Sequence, residues 1–322
     1  MKKKRISIVS PCYNEQDNIR ELYQQVQEVI GQYPDYIFEH IFIDNDSTDT
    51  TVDILRELAA DNKSIKVILN NRNYGHITSP YHGMLSATGD AVILLVSDLQ
   101  DPPALIHDFI KEWENGYKVV AGVKENSDES ALLFFIRKSF YNLMNRLSSV
   151  KLIKNYTGFG LYDQKVIDHL RSFHEPYPYF RGLVMELGYP VKQIKYRQPV
   201  RHRGISKNNF YTLYDIAMLG ITSHSLIPLR LATMGGFFMA LVSMLISIGY
   251  LVYKLLYWDR ITLGVAPMVV GGFFMFSILL FFIGILGEYI INLQRYVQNR
   301  PHVIEKERIN FEASQHQDDH QE

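Results

Sequence analysis

The chain of 322 residues has almost no cysteine. Cys12 is the only one, so no intrachain disulfide can form and a cysteine-stapled secreted scaffold is excluded. It also has no excess of one charge. Its 33 Lys and Arg meet 34 Asp and Glu, which argues against a nucleic-acid binder working through a broad basic surface. No Gly-x-Gly-x-x-Gly and no P-loop occurs, so dinucleotide and ATPase readings lose their main support. There is no internal repeat and no long low-complexity tract. The N-terminus lacks a signal-peptide core: behind Lys2–Arg5, the apolar stretch Ile6–Val9 is too short and runs into Pro11.

What is there divides into two unlike parts. Hydrophobic residues make up 47%, which excludes a disordered or fibrous chain. Two runs, Leu231–Tyr253 and Ile261–Gly287, hold no charged residue. A bilayer span needs ~20 apolar residues, and both runs qualify. Residues of ordinary soluble composition precede them, so the expectation is a soluble head attached to a lipid bilayer. The loop Lys254–Arg260 carries two basic residues. Arg295, Arg300, Lys306 and Arg308 follow the second run, and Arg230 and the Arg197–Lys207 cluster precede the first. Positive-inside counting puts both ends in the cytoplasm at the inner cell membrane, with a short hairpin outside.

The head alternates strand and helix patterns. Strands are expected at Ile6–Ser10, Ile37–Asp44, Ile65–Leu69, Ala91–Val96 and Lys118–Val123. Helices are expected at Gln16–Gln32, Thr48–Asp61 (begun by Ser47 and Thr48 as caps), Ile77–Ala87 and Pro103–Asn115. Such alternation implies an α/β fold, a mostly parallel Rossmann-like sheet with helices on both faces. Later come a helix over Ala131–Ser148 and strand regions at Asn155–Asp163 and Val191–Tyr196. The expected organisation is a head over 1–208, an amphipathic interface helix over 209–228, a two-helix transmembrane hairpin over 229–294 and a tail over 295–322, polar and disordered after Phe311.

In an open parallel sheet, ligands sit at the carboxyl ends of the strands. Four strand ends carry polar clusters: Pro11–Glu15, Asp44–Ser47, Asn71–His76 and Ser97–Pro103. Carboxylates there suit a divalent cation, Mg²⁺ or Mn²⁺, that bridges a diphosphate. Asp98 and Gln100 alternate on a segment expected to be extended, so both could face one ion. Asp101 reads as a helix cap. His82 reads as a helix-face residue, Glu288 as the interfacial end of the second span. Tyr156–Tyr162 either line a sugar pocket or pack.

Pro11–Glu15, Asp44–Asp49, Arg72–His76 and Asp98–Pro103 resemble the family-2 glycosyltransferases with the type A glycosyltransferase fold. The nearest branch is the polyprenyl-phosphate glycosyltransferases, which include dolichol-phosphate mannose synthase and bacterial undecaprenyl-phosphate glucosyltransferases of O-antigen modification. Asp98-Leu99-Gln100-Asp101-Pro102-Pro103 marks that branch. So does Arg201-His202-Arg203-Gly204-Ile205-Ser206-Lys207, which follows its Arg-x-x-Gly-x-Ser-Lys pattern. Two C-terminal spans, with Gly287-Glu288-Tyr289 closing the second, also match. The resemblance implies that Pro11, Tyr13, Glu15 and Asp44, with Arg72 and His76 nearby, hold the nucleotide of a nucleotide diphosphate sugar, UDP-glucose for example. It implies Asp98 and Gln100 as metal ligands and Lys124, Arg137 and Ser139 as ligands of a polyprenyl phosphate. Arg201 and Lys207 would close over both phosphates and, with Asp98, serve catalysis.

The chain departs from the branch twice. Val96 stands where an Asp usually precedes Asp98. Thr157-Gly158-Phe159-Gly160-Leu161 stands where the branch often has Gly-Asp-Phe-Arg-Leu. The expected activity is transfer of one sugar, with inversion, to undecaprenyl or another polyprenyl phosphate. A processive polysaccharide synthase is disfavoured, because Trp113 and Trp258 lie in no Gln-x-x-Arg-Trp motif. The alternative from another class is a catalytically silent membrane scaffold. Gly235, Gly236, Gly271 and Gly272 permit close helix packing and a homo-oligomer.

Overall fold

The structure, a computed structural model, describes residues 3–125, 153–173, 175, 178–198, 227–257, 265–298, 301 and 303–311. Strands β1 (Arg5–Cys12), β2 (Ile37–Asp44), β3 (Ile65–Asn70) and β4 (Ala91–Leu94) alternate with helices α1 (Ile19–Ile30), α2 (Thr51–Asp61) and α3 (Gly75–Leu85). A 3-10 turn at Pro103–Leu105 leads into α4 (Ile106–Glu114) and β5 (Val119–Lys124). Then come β6 (Tyr156–Asp163), α5 (Gln164–Ser172), α6 (Phe180–Glu186) and β7 (Val191–Tyr196). Two long helices, α7 (Ile227–Leu256) and α8 (Val265–Gln298), precede β8 (Glu305–Ile309).

The eight strands form one sheet in the order β7-β5-β6-β4-β1-β2-β3-β8. The pairs β1/β2, β2/β3, β1/β4 and β5/β7 are parallel; β6 runs antiparallel to β4 and β5, and β8 antiparallel to β3. The sheet grows from β1 through β2 to β3, then β4 returns to the other side of β1. That reversal opens a crevice at the carboxyl ends of β1 and β4.

Both faces of the sheet are covered, as the continuous apolar strand Ala91–Leu94 demands. One face packs Ile6, Ile8, Phe42 and Ile93 against Ile19, Leu22 and Val26 of α1, Leu55 of α2 and Phe109 of α4. The other packs Val9, Ile41, Ile43 and Val92 against Tyr81 and Met84 of α3, Ile167 of α5 and Leu183 of α6. Each such fully buried aliphatic side chain contributes roughly 1.5–3 kcal/mol. Tyr156 and Tyr162 are 1% and 0% exposed and share a hydroxyl–hydroxyl bond, so they pack rather than line a pocket. Asp163 ends β6 and caps α5 through Lys165 N–H, while also accepting from Trp113 Nε1 at 2.8 Å and from Lys118.

Three local expectations change. β4 stops at Leu94; Leu95 N–H still donates to the Val9 carbonyl at 2.9 Å, and Val96 lies beyond. Helix α2 starts at Thr51, because Ser47 and Thr48 are bonded instead to Asp44 and Asn14. The sheet takes its eighth strand from Glu305–Ile309, beyond the apolar helices, where a tail was expected. Arg56 pairs with Glu307 through Nη1 and Nη2, and Asn310 Nδ2 reaches the carbonyls of Ala59 and Ile65. His82 of α3 meets Glu305, so this helix-face histidine is an anchor for β8.

The described residues fall in two compact units, one with the sheet and one with α7 and α8. Leu229–Ile246 and Phe274–Ile291 are long and apolar enough to cross a membrane, and Phe237 is 74% exposed. A Cβ on Gly235 would come within 3.0 Å of the Phe282 ring, so glycine there lets α7 approach α8. Helix α8 runs past Glu288 to Gln298, so the helix extends beyond the residue expected to close the second span. The interface helix expected over 209–228 falls mostly outside the described residues; α7 itself begins at Ile227.

Candidate active site

The loops after β1 and β2 are bonded to each other. Asn14 adopts a left-handed conformation, φ 56°, which asparagine tolerates well. Its N–H donates to Ser47 Oγ at 2.8 Å, and its Oδ1 accepts from Thr48 N–H at 2.8 Å. The Glu15 N–H donates to Thr51 Oγ1 at 2.9 Å. Pro11, Tyr13 and Glu15 are all half-buried along this seam.

Asp44, at the end of β2, is 1% exposed. Its carboxylate accepts from the Ser47 N–H and hydroxyl, with the Cys12 thiol 3.9 Å away. Burial pushes its pKa up and the Ser47 bonds oppose that; burial and then Asp44 push the Cys12 thiol up. Asp44 thus organises the loop from beneath.

Asn45 joins the third loop to the second. Its Oδ1 accepts from Asn70 Nδ2 at 3.1 Å and Tyr74 N–H at 2.8 Å, and its Nδ2 donates to Asn73 Oδ1 and the Gly75 carbonyl. The Arg72 guanidinium lies 4.2 Å from the Tyr74 ring centroid. His76 opens α3; burial, and then the charge of Arg181, hold its pKa below the usual imidazole value. β8 reaches this loop too. Asn71 N–H donates to the Ile304 carbonyl at 3.0 Å, and Ile304 N–H donates to Tyr74 Oη at 3.1 Å.

The fourth loop corrects an expectation. Leu99 has φ 57°, so Asp98–Gln100 is a tight bend, not an extended segment. A bulky side chain rarely adopts that conformation, and strain of order 1–3 kcal/mol is typical where one does. Asp98 Oδ1 accepts from the Gln100 N–H at 3.2 Å, and no cation pairs with Asp98 among the described residues. Gln100 Oε1 accepts from Gln198 Nε2 at 2.7 Å. Asp101 caps no helix. It is 3% exposed, accepts the Tyr196 hydroxyl and faces Lys124 Nζ at 4.0 Å. Lys124, expected to meet a lipid phosphate, therefore has a carboxylate beside it.

Among the described residues no three His, Cys, Asp or Glu side chains gather as a metal site. A single carboxylate still fits Mg²⁺ or Mn²⁺ when substrate phosphates complete the shell, and Asp98 has an oxygen to spare among the described residues. Arg137, Ser139, Arg201 and Lys207 lie outside the described residues. The structure adds two residues that the sequence did not single out. Asn45 has no signal beyond its strand-end position. Arg181, the second residue of α6, donates from Nη1 to the Tyr156 carbonyl at 3.2 Å.

An uncharacterized glycosyltransferase of Bacillus subtilis, YkcC, is 32% identical over 93% of this chain and 93% of its own. A bactoprenol glucosyl transferase of Shigella phage SfII is 33% identical over 94% of this chain and 97% of its own. Among solved structures, mannosyl-3-phosphoglycerate synthase from Rubrobacter xylanophilus aligns over 72% of this chain and 75% of its own, at 15% identity and a TM-score of 0.47. The family model for glycosyl transferase family 2 matches residues 7–171, the stretch that supplies all four strand-end loops of the crevice. The chain therefore belongs to glycosyl transferase family 2, and it is a glycosyltransferase of the type A fold.

Proposed function

We propose that the protein moves one sugar, with inversion, from a UDP-sugar such as UDP-glucose to undecaprenyl phosphate or another polyprenyl phosphate at the cytoplasmic face of the inner membrane. The observation that carries the reading is the crevice itself. Four polar strand-end loops meet at the β1/β4 reversal, with the Asp98 carboxylate left unpaired by any cation among the described residues. The bactoprenol glucosyl transferase name of the phage relative supports the acceptor. Pro11, Tyr13 and Glu15 would bind the nucleotide over the floor made by Asp44, with Arg72 and His76 at its rim. Asp98 and Gln100 would hold a divalent cation, which supplies positive charge for the departing diphosphate.

An oxygen of the lipid phosphate attacks the anomeric carbon as the bond from that carbon to the diphosphate breaks. The electron pair leaves with the nucleoside diphosphate. No general base is required, since the second pKa of a phosphate monoester is ~6 and the nucleophile is already anionic at neutral pH. The protein's part is to orient the two phosphates and to hold the charge that shifts between them. Lys124, Arg137, Ser139, Arg201 and Lys207 are the proposed phosphate ligands.

The membrane hairpin belongs to the same proposal. The chain leaves the sheet after β7, passes through α7 and α8, and returns to the sheet as β8. A sheet cannot be shared across a bilayer, so the number of crossings between β7 and β8 is even. Two crossings meet that condition and would keep the head at the bilayer that holds the polyprenyl phosphate. Gly236, Gly271 and Gly272 face open space and would admit a second copy of the chain. The test is to incubate the purified protein with undecaprenyl phosphate and a panel of nucleotide sugars, with Mg²⁺ or Mn²⁺, and to weigh the lipid products. One hexose added to the lipid phosphate is expected. No product from any donor would leave the silent scaffold, which Val96 and Gly158 favour.

A further inference from the structure

The carboxyl edge of the sheet carries cations in three different situations. Lys124 has Asp101 4.0 Å away. Arg72 is exposed and lies over the Tyr74 ring. Arg181 is half-buried, yet no carboxylate pairs with it among the described residues.

The position of Arg181 follows from the sheet. Its Nη1 donates to the carbonyl of Tyr156, the first residue of β6. Tyr156 pairs with Val123 near the end of β5, and β6 runs antiparallel to β4. That carbonyl thus lies on the edge where the parallel strands end. The guanidinium also acts electrostatically on His76 in the first turn of α3. Phe180 beside it packs on Tyr81 of α3, ring centroids 6.4 Å apart, so Arg181 stands at the start of β6 on the α3 side of the sheet. Its guanidinium carbon is 5.1 Å from the Tyr179 ring centroid, which steadies the plane of the fork.

A guanidinium offers five donors, and among the described residues one is used. Burying such a charge without an anion is costly, and phosphate oxygens match its planar fork in pairs. We propose that Arg181 is a phosphate-binding residue of the transfer site, presenting its remaining N–H groups to the phosphoryl oxygens of a substrate. The inference rests on the reading of the chain as a transferase to a lipid phosphate. The phosphoryl group belongs either to the sugar nucleotide or to the lipid, and the two arms of the test separate them.

The test compares the full-length wild type with Arg181→Gln and Arg181→Lys. Gln can still donate to the Tyr156 carbonyl but carries no charge; Lys keeps the charge without the fork. Wild-type transfer is measured first, with each substrate varied in turn, and UDP and inorganic diphosphate are titrated into all three proteins. Arg181→Gln is expected to melt close to wild type and to raise one requirement about tenfold or more, with Arg181→Lys recovering part of it. A rise in the UDP-sugar KM together with weaker UDP binding assigns the nucleotide diphosphate. A rise in the lipid-phosphate KM alone assigns the acceptor. Unchanged constants for both substrates in folded Arg181→Gln overturn the proposal. So does a loss of stability in both variants while the substrate constants of the folded fraction stay at wild type. No wild-type transfer from any donor overturns the functional reading instead; diphosphate binding, weakened or not by Arg181→Gln, then decides the role of Arg181.

Discussion

The Lys124 ammonium lies 4.0 Å from Oδ1 of Asp101, and the same carboxylate accepts the Tyr196 hydroxyl. One buried acid thus ties the end of β5, the end of β7 and the loop after β4. Burial pushes its pKa up, while Lys124 and Tyr196 pull it back. Asp101→Asn keeps an acceptor for Tyr196 but removes the charge opposite Lys124. We expect a loss of about 1 kcal/mol in equilibrium unfolding, and more, about 3 kcal/mol, for Asp101→Leu, which orphans the Tyr196 hydroxyl too. If Lys124 serves the lipid phosphate, Asp101→Asn frees it and lowers the lipid KM; an unchanged KM would make the pair purely structural.

Asp98→Asn should nearly abolish transfer while the fold stays intact. The residue lies in the loop, half-exposed, and its loss removes the one carboxylate proposed for the cation, a matter of several kcal/mol in the transition state. Rates across Mg²⁺ and Mn²⁺ concentrations check this. A normal rate with normal metal dependence would defeat the metal role.

Val96 stands beyond the last residue of β4 and is half-buried. Val96→Asp is therefore expected to fold and to tighten cation binding in the presence of nucleotide. Melting with and without Mn²⁺ and UDP separates this from the opposite outcome, an unstable protein in which Val96 is needed for packing.

Gly160 is a different kind of departure from the family pattern. A Cβ there would come within 2.3 Å of the Val120 carbonyl oxygen, and Gly158 has φ 106°. Restoring the branch residue as Gly160→Arg should therefore prevent folding, and even Gly160→Ala should cost ~3 kcal/mol or more. Soluble expression of the head and its unfolding midpoint provide the readout. A stable Gly160→Arg protein would mean that β5 and β6 can part more easily than their close approach indicates.

Acid should destabilise the protein in two windows. His40 is buried, bonds Ser10 through Nε2 at 2.9 Å, and has its pKa pushed down to about 3 by burial. The unfolded chain takes up a proton below pH ~6.5 that the folded one refuses, so stability is full above that pH. It falls by about 1.4 kcal/mol per unit as the pH drops toward the folded value. Glu305 acts lower. Burial alone would raise it, but hydrogen bonds from Arg308 and His82 outweigh that and hold it at about 2. Its contribution, present above its ordinary value of 4.5, is lost between there and about 2. Urea midpoints from pH 7 down to about 2, with His40→Gln as the variant that flattens the upper window, test the sign.

The sequence reads most clearly where one local pattern dominates. Ile37–Asp44 and Val191–Tyr196 match their observed strands end to end, because alternation or continuous burial marks them without help from elsewhere. The Asp98 loop was legible as chemistry but not as shape: nothing in Asp-Leu-Gln announces that the leucine is left-handed. Asp101 looked like a cap because a proline-led helix follows it; Tyr196, far along the chain, claims it instead. Arg181 and Asn45 were missed because their partners, Tyr156 and Tyr74, come near only through the sheet. β8 was missed because Glu-Lys-Glu-Arg-Ile reads as a charged tail. Its strand character rests on an ion pair to α2 and a hydrogen bond to α3 over two hundred residues earlier.

That late strand sets an order of events in synthesis. β3 has its outer neighbour only in Glu305–Ile309, and Arg56 waits 251 residues for Glu307. While the apolar helices are being made, the sheet has an open edge at β3, the kind of edge that invites pairing with foreign strands. The loop Asn71–Tyr74 likewise receives its two hydrogen bonds with Ile304 only after the second apolar helix is complete. Chains stalled or cut within the hairpin would thus carry an uncapped sheet and a half-braced loop, which couples the quality of the head to completion of the segment behind it.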